Sequence, residues 1–302
     1  FSSTPSAPAV KRQPRWTEPR LIEDAYPVGR NEPLEEKTYH AINWLAGDGA
    51  DAEDTVMLDI LEAILLGNEA APLKKAIIDS RLGADLVFSG ANSSGLESTF
   101  HVGIKGSEPD RRAAFVALVM DTLESIARSG VSRERVDAAF QQVAYDYQEI
   151  APHYPLHVMM AVLGSWLYGK DPTAFCRRRA ALDACRARYE ASPDCFERLI
   201  RERLLENDHR LVTTMAPDPS VQAAMEKAFA EKMNAVRATL DNAAILRIAE
   251  EAAELDRENG KPNAPEALAT LPQLNLSDLP DAVTHLPTPS ERIGEMNLLR
   301  TH

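Results

Sequence analysis

The sequence predicts an α+β fold, a mostly antiparallel sheet covered by helices and followed by a helical hairpin. Three stretches carry that expectation. Residues 38–46 alternate, with His40, Ile42, Trp44 and Ala46 on one face and Tyr39, Ala41, Asn43 and Leu45 on the other, the period-two pattern of a strand covered on both sides. From 56 to 66 the only polar residues are Asp59 and Glu62. With Thr55 they form a narrow wet stripe on an otherwise apolar cylinder, so this helix is expected to be buried on more than one side. Residues 86–90 and 99–105 read as two further strands, the second alternating Phe100, Val102 and Ile104 with His101, Gly103 and Lys105, and "ANSSGLES" between them fits a hairpin loop.

Each element has a local reason. Residues 1–37 are rich in proline, serine and charge without sustained periodicity, an extended arm or linker in which Trp16 of "RWTEPR" and Tyr26 of "AYPVG" are aromatic anchors for docking on a globular surface. Asp51 is the expected N-cap of the apolar helix, Glu53 and Asp54 complement the helix dipole in its first turn, and Gly67 closes it. "APLKKAIIDSRLG" gives a short second helix, with Pro72 near its first turn and Gly83 at its end. Pro109 opens a helix to about Arg128, Gly130 breaks it, Ser132 caps the next, and helical spacing persists over 154–166 and 172–205. "DHRLVTTMAPDP" reads as a single buried strand, ended by prolines, that returns to the sheet begun at Tyr39. Val221, Met225, Phe229, Val236 and Leu240 then mark one amphipathic helix and Ile245, Ile248, Ala252 and Leu255 another, an αα-hairpin joined near 239–242. The expected divisions are an arm at 1–37, an α+β domain at 38–217, a helical hairpin linker at 218–260 and an irregular tail at 261–302.

Composition narrows the function classes. A chain of 302 residues, 44% hydrophobic and 26% charged, is long enough and apolar enough for a large globular core. Its net charge of −13 argues against nucleic acid as a partner and suits a cationic one, such as a basic peptide. Cys176, Cys185 and Cys195 are odd in number and confined to one helical region, so buried thiols in a reducing, cytoplasmic or matrix-like compartment are expected rather than a disulfide framework. No apolar run approaches bilayer length and no hydrophobic signal core opens the chain, so no membrane partner is expected.

The reactive residues do not assemble into a site. "GDGADA" after a strand and before a helix mimics a dinucleotide fingerprint, but Asp48, Asp51, Glu53 and Asp54 crowd the place a pyrophosphate would occupy, and a capped turn is the better reading. His153 and His157 lie four apart with Pro155 between them at a helix start, which is poor geometry for a shared metal. Ser93 and Ser94 form no nucleophile elbow. Arg177, Arg178, Arg179, Arg186 and Arg188 read as a solvated face or a domain contact. No catalytic, cofactor-binding or metal residue is assigned.

One pattern of motifs does carry a family. The order of strand, helix, "LLGNEAAPLKKAIIDSRLG" and two strands, preceded by "RWTEPR…AYPVG" and followed by "DHRLVTTMAPDP", the charged hairpin and "PEALATLPQLNLSDLP", resembles the presequence-degrading branch, subfamily C, of the pitrilysin-like M16 zinc metallopeptidases. The resemblance implies a clamshell of two halves, each with two homologous α+β domains, joined by a helical hairpin. It places this chain as the second, non-catalytic domain of the first half plus the hairpin, helping to wall a closed chamber in which short unstructured peptides are degraded. The implied partners are other M16 domains of the same polypeptide and peptide substrates. Zinc is implied for the parent enzyme but not for this chain. In the family, H-x-x-E-H on a helix sets two histidines on one metal with a glutamate as general base. None of the seven histidines here stands in that motif, so the chain is expected to be inactive alone. A stand-alone non-catalytic M16 subunit paired with a separate active chain, and an unrelated helical binding scaffold, are the alternatives.

Overall fold

The computed structural model describes residues 10–150, 152–171 and 173–272, and the backbone of Ser290–Ile293 and Met296–Leu299. It forms two compact units, Phe1–Phe229 and Ala230–His302.

The first unit is built on a six-stranded sheet. Its strands are β1 (Arg20–Pro27), β2 (Thr38–Asp48), β3 (Asp85–Leu86), β4 (Gly90–Asn92), β5 (Glu97–Ser107) and β6 (Arg210–Asp218). The spatial order is β1-β6-β2-β5-β3, with β4 also on β5. Every pairing is antiparallel except β1 with β6, so the mostly antiparallel α+β class is the observed one. Strand β6 does return to β2, with Ile42 opposite Val212.

Helices cover one face. α1 (Ala52–Leu66) is capped by the Asp51 carboxylate, which accepts the Glu53 and Asp54 backbone N–H groups, and ends at Gly67. α2 (Pro72–Ser80), α3 (Arg112–Ser129), α4 (Arg133–Gln148, capped by Ser132), α5 (Tyr154–Trp166), α6 (Arg178–Ala191) and α7 (Cys195–Ile200) follow. Ile42, Trp44, Phe100, Val102 and Ile104 from the sheet join Leu58, Leu61 and Leu65 of α1, Phe115 and Leu123 of α3, Phe140 of α4 and Phe196 of α7 in one core. Because α4 and α6 pack outside α1, a helix with apolar residues almost all round is the helix that this layering needs.

The structure corrects several expectations. Strand β2 is covered on one side only: Thr38, His40, Ile42, Trp44 and Ala46 are buried against helices, whereas Tyr39, Ala41, Asn43 and Leu45 are half-buried on the opposite face. For the same reason β6 is half-buried rather than buried, with Thr214 its one fully enclosed residue. Part of the stretch read as an arm is strand β1, whose exposed Leu21 and Ile22 gave no alternation between buried and polar positions. Helix α2 stops at Ser80 with Arg81 in the left-handed region, before Gly83. The strand expected at 86–90 is broken into β3 and β4, with Phe88 at φ 46° between them. Cys176 is exposed, while Cys185 and Cys195 are buried as free thiols.

Past β6 come α8 (Pro219–Ala238), which runs into the second unit, and α9 (Asn242–Gly260), capped by the Asp241 carboxylate. A short turn of helix, Pro265–Leu268, follows. The tail expected to be irregular contains an antiparallel strand pair, Ser290–Ile293 with Met296–Leu299. Residues 1–9 of the arm and 273–289 of the tail lie outside the described residues.

Candidate functional site

The face of the sheet that the helices leave free carries a pocket. Ala41 of β2 lines it together with Tyr39, Leu211, Thr213 and Met215, while its partner on β5, Gly103, lies buried beneath Val87. Gly103 has no room for a side chain, since a Cβ there would lie 2.6 Å from the Val87 carbonyl oxygen. The cavity over this face has a volume of about 940 Å3 and is mainly apolar. None of the residues around it is an aspartate, glutamate, lysine or arginine.

The polar groups on the floor satisfy one another. His101 bonds Asn43 Oδ1 through Nδ1 at 2.8 Å and Thr99 Oγ1 through Nε2 at 2.7 Å. Asn43 in turn donates to the Leu211 carbonyl at 3.2 Å. Since Asn43 Oδ1 can only accept, His101 carries its proton on Nδ1 and Thr99 donates to Nε2. Burial lowers the His101 pKa, which favours the neutral ring. Tyr26 closes one end, edge-on to Tyr39 at 5.6 Å and donating to the Lys37 carbonyl at 2.7 Å. Sequence alternation named this face without identifying it as open; the small residue Ala41 was the available signal.

The polar stripe of α1 is structural. Tyr147 Oη of α4 donates to Asp59 at 2.5 Å, and Glu62 accepts the Ala91 N–H of β4 at 2.7 Å. Burial, the largest influence, raises the pKa of both carboxyl groups. These groups tie α1 to a second helix and to the sheet edge, leaving little to bind a ligand. Among the described residues no cluster of three or more His, Cys, Asp or Glu is arranged to hold a metal.

The other candidate motifs also resolve into packing. In "GDGADA" the Asp51 cap and Asp54, which accepts the Asp48 N–H at 2.6 Å, fill the helix N-terminus with the chain's own carboxylates. His153 is the left-handed cap residue of α5 and His157 lies within that helix. Ser93 bonds Ser98 at 2.7 Å. Among the arginines, Arg177 pairs with Asp171, Arg179 with Asp183 and Arg186 with Asp137, while the Arg178 guanidinium lies 4.9 Å from the Tyr147 ring centre. Burial pushes the Cys185 thiol up to about 12, which keeps it protonated and inert.

Comparison with known proteins agrees with this fold. The Peptidase M16 inactive domain profile matches residues 1–143, and the profile of the region associated with M16 peptidases of subfamily C matches residues 215–301. The chain is 32% identical to presequence protease 1, chloroplastic/mitochondrial, of Arabidopsis thaliana, an alignment covering 99% of this chain and 28% of that protein. It is 26% identical to protein HypA of Clostridium perfringens (strain 13 / Type A), over 96% of this chain and 30% of that protein. It thus spans less than a third of the length of these relatives. A crystal structure of a peptidase M16 inactive domain from Pseudomonas fluorescens shares the fold at TM-score 0.50 and 12% identity, over 71% of this chain and 47% of that one. An M16 inactive-domain match followed, in the expected order, by a subfamily C-associated match leads to one assignment: the chain belongs to the M16 peptidase family, as a non-catalytic M16 domain followed by the region associated with subfamily C.

Proposed function

We propose that this chain is the non-catalytic part of a longer M16 zinc metallopeptidase of subfamily C that degrades short, unstructured peptides in a closed chamber. The open sheet face is a wall of that chamber, and the helices of the subfamily C-associated region join its two halves. The observation that carries this reading is the one-sided sheet, whose free face bears a mainly apolar pocket lined by no Asp, Glu, Lys or Arg. Such a surface tolerates many peptide sequences because it makes no charge-specific demand. Zinc and the general base belong to a catalytic domain elsewhere in the parent polypeptide, and the other M16 domains of that polypeptide are this chain's partners. A net charge of −13 supports a preference for basic peptides through long-range attraction. The free thiols support a reducing, cytoplasmic or matrix-like setting.

Two measurements test the reading. Alone, the chain is expected to retain no stoichiometric zinc and to cleave no unstructured peptide above a metal-free control; zinc-dependent cleavage by the chain alone refutes it. In the parent enzyme, Thr213→Glu places a charge on the wall and is expected to lower kcat/KM by about tenfold with zinc content unchanged, equivalent to about 1.4 kcal/mol. An unaltered kcat/KM removes the wall from the mechanism.

A further inference from the structure

The arm before β1 is held on the end of the sheet by an arrangement that depends on the protonation of one histidine. Trp16 stacks on His209 with ring centres 4.1 Å apart and planes 14° from parallel. The Trp16 backbone N–H donates to His209 Nδ1 at 3.1 Å. That bond requires an unprotonated Nδ1, so the docked ring is the neutral Nε2–H tautomer. His209 is only 7% exposed and is fixed from its own chain: its N–H donates to Asn207 Oδ1 at 2.9 Å and its carbonyl accepts the Leu45 N–H at 3.2 Å.

The charges around the ring favour the neutral form on balance. The arm brings Arg15, and β1 begins with Arg20, whose guanidinium lies 4.3 Å from the Trp16 ring centre. From the start of β5, Glu97 opposes them, holding Arg15 at 2.8 Å and the Gln13 N–H at 2.8 Å. Arg12 pairs with Asp48 at the end of β2, and Asp208 and Arg210 flank the histidine in the chain. Burial first, then Arg15 and Arg20, lower the His209 pKa, with Glu97 pulling the other way.

We propose that His209 is a pH-sensitive latch for the arm: the neutral ring holds Trp16 on the sheet end, and the protonated ring releases it. A solvent proton taken up by Nδ1 occupies the lone pair that Trp16 N–H uses, sets two donors against each other, and adds a cation next to Arg15 and Arg20. Because the docked state depresses the His209 pKa, docking is complete above the ordinary histidine value of about 6.5 and weakens as pH falls through the lowered one.

The test uses the three tryptophan indole N–H resonances of the 15N-labelled chain, with Trp16 assigned from a Trp16→Phe sample. The {1H}–15N NOE of the Trp16 indole reports its picosecond–nanosecond mobility. On titration from pH 8 to 5 it is expected to fall from the value of the buried Trp44 toward that of a mobile tail, with a midpoint below 6.5. In His209→Asn, which keeps an acceptor oxygen but has no proton to gain, the NOE is expected to stay high throughout. A Trp16 NOE that does not change in the native chain overturns the latch, and so does an equal fall in His209→Asn, which would assign the release to other groups, such as His40 or His101. If His209→Asn is poorly folded, Trp16 amide protection in the native chain gives the same decision, through its loss or persistence below pH 6.

Discussion

At the scale of single residues, the polar stripe of α1 shows how a buried carboxylate is accommodated without a metal. Asp59 meets one hydroxyl, that of Tyr147, and feels the charge of Arg178; burial still dominates and raises its pKa. The ionised form is therefore the costly one in the fold. Stability from this group is greatest below the ordinary carboxylate range and declines as pH rises through the raised value. Tyr147→Phe removes the donor and leaves the ionised carboxyl short of a partner, so a loss of about 1–3 kcal/mol is expected. Urea midpoints for native and variant chains at pH 4.5 and 7.5 check this: the loss should grow with pH, because the ionised carboxylate is the form that needs the donor. Equal losses at both values would show that the hydroxyl acts only through packing.

At the scale of elements, the broken edge strand depends on one glycine. Gly90 begins β4 with φ +124°, and a Cβ there would lie 2.5 Å from Glu62 Oε1, the carboxylate that also takes the Ala91 N–H. Gly90→Ala therefore strains the backbone and displaces the α1–β4 tie, with an expected loss of about 1–3 kcal/mol. Gly95→Ala is the control, since its nearest neighbour would be at 3.6 Å; it is expected to stay within about 0.5 kcal/mol by thermal or urea denaturation. Helix α5 shows the limit of pattern reading at this scale. Its sequence is apolar nearly all round, which usually marks a buried helix, yet Leu156, Met159, Met160 and Trp166 are exposed. Periodicity reports how apolar a helix is, whereas exposure depends on which neighbours exist to cover it.

At the scale of the whole first unit, the sheet is finished by a strand that comes from far away in sequence. β1 pairs in parallel with β6, Ile22 opposite Thr213, and shields an edge of β6 that would otherwise offer unpaired N–H and C=O groups. Deleting residues 1–27 is expected to lower the urea midpoint and to shift the chain toward oligomers in size-exclusion chromatography with light scattering; a monomer of unchanged stability would show that β1 is dispensable. Local chemistry in the sequence was enough to determine the helix caps at Asp51 and Ser132 and the buried α1, because caps and periodicity act within a few residues, whereas the return of β6 to β2 was read from the order of elements. It also named Trp16 and Tyr26 as anchors, which they are, on His209 and Tyr39. Tertiary structure alone decided that β1 is a strand, that one face of β2 is open, that Asn43 and His101 share a floor with Ala41, and that His209 faces Trp16 across 193 positions. Alternation places residues on two faces but cannot say which of them finds a covering layer, and a contact between distant residues has no local periodicity to announce it.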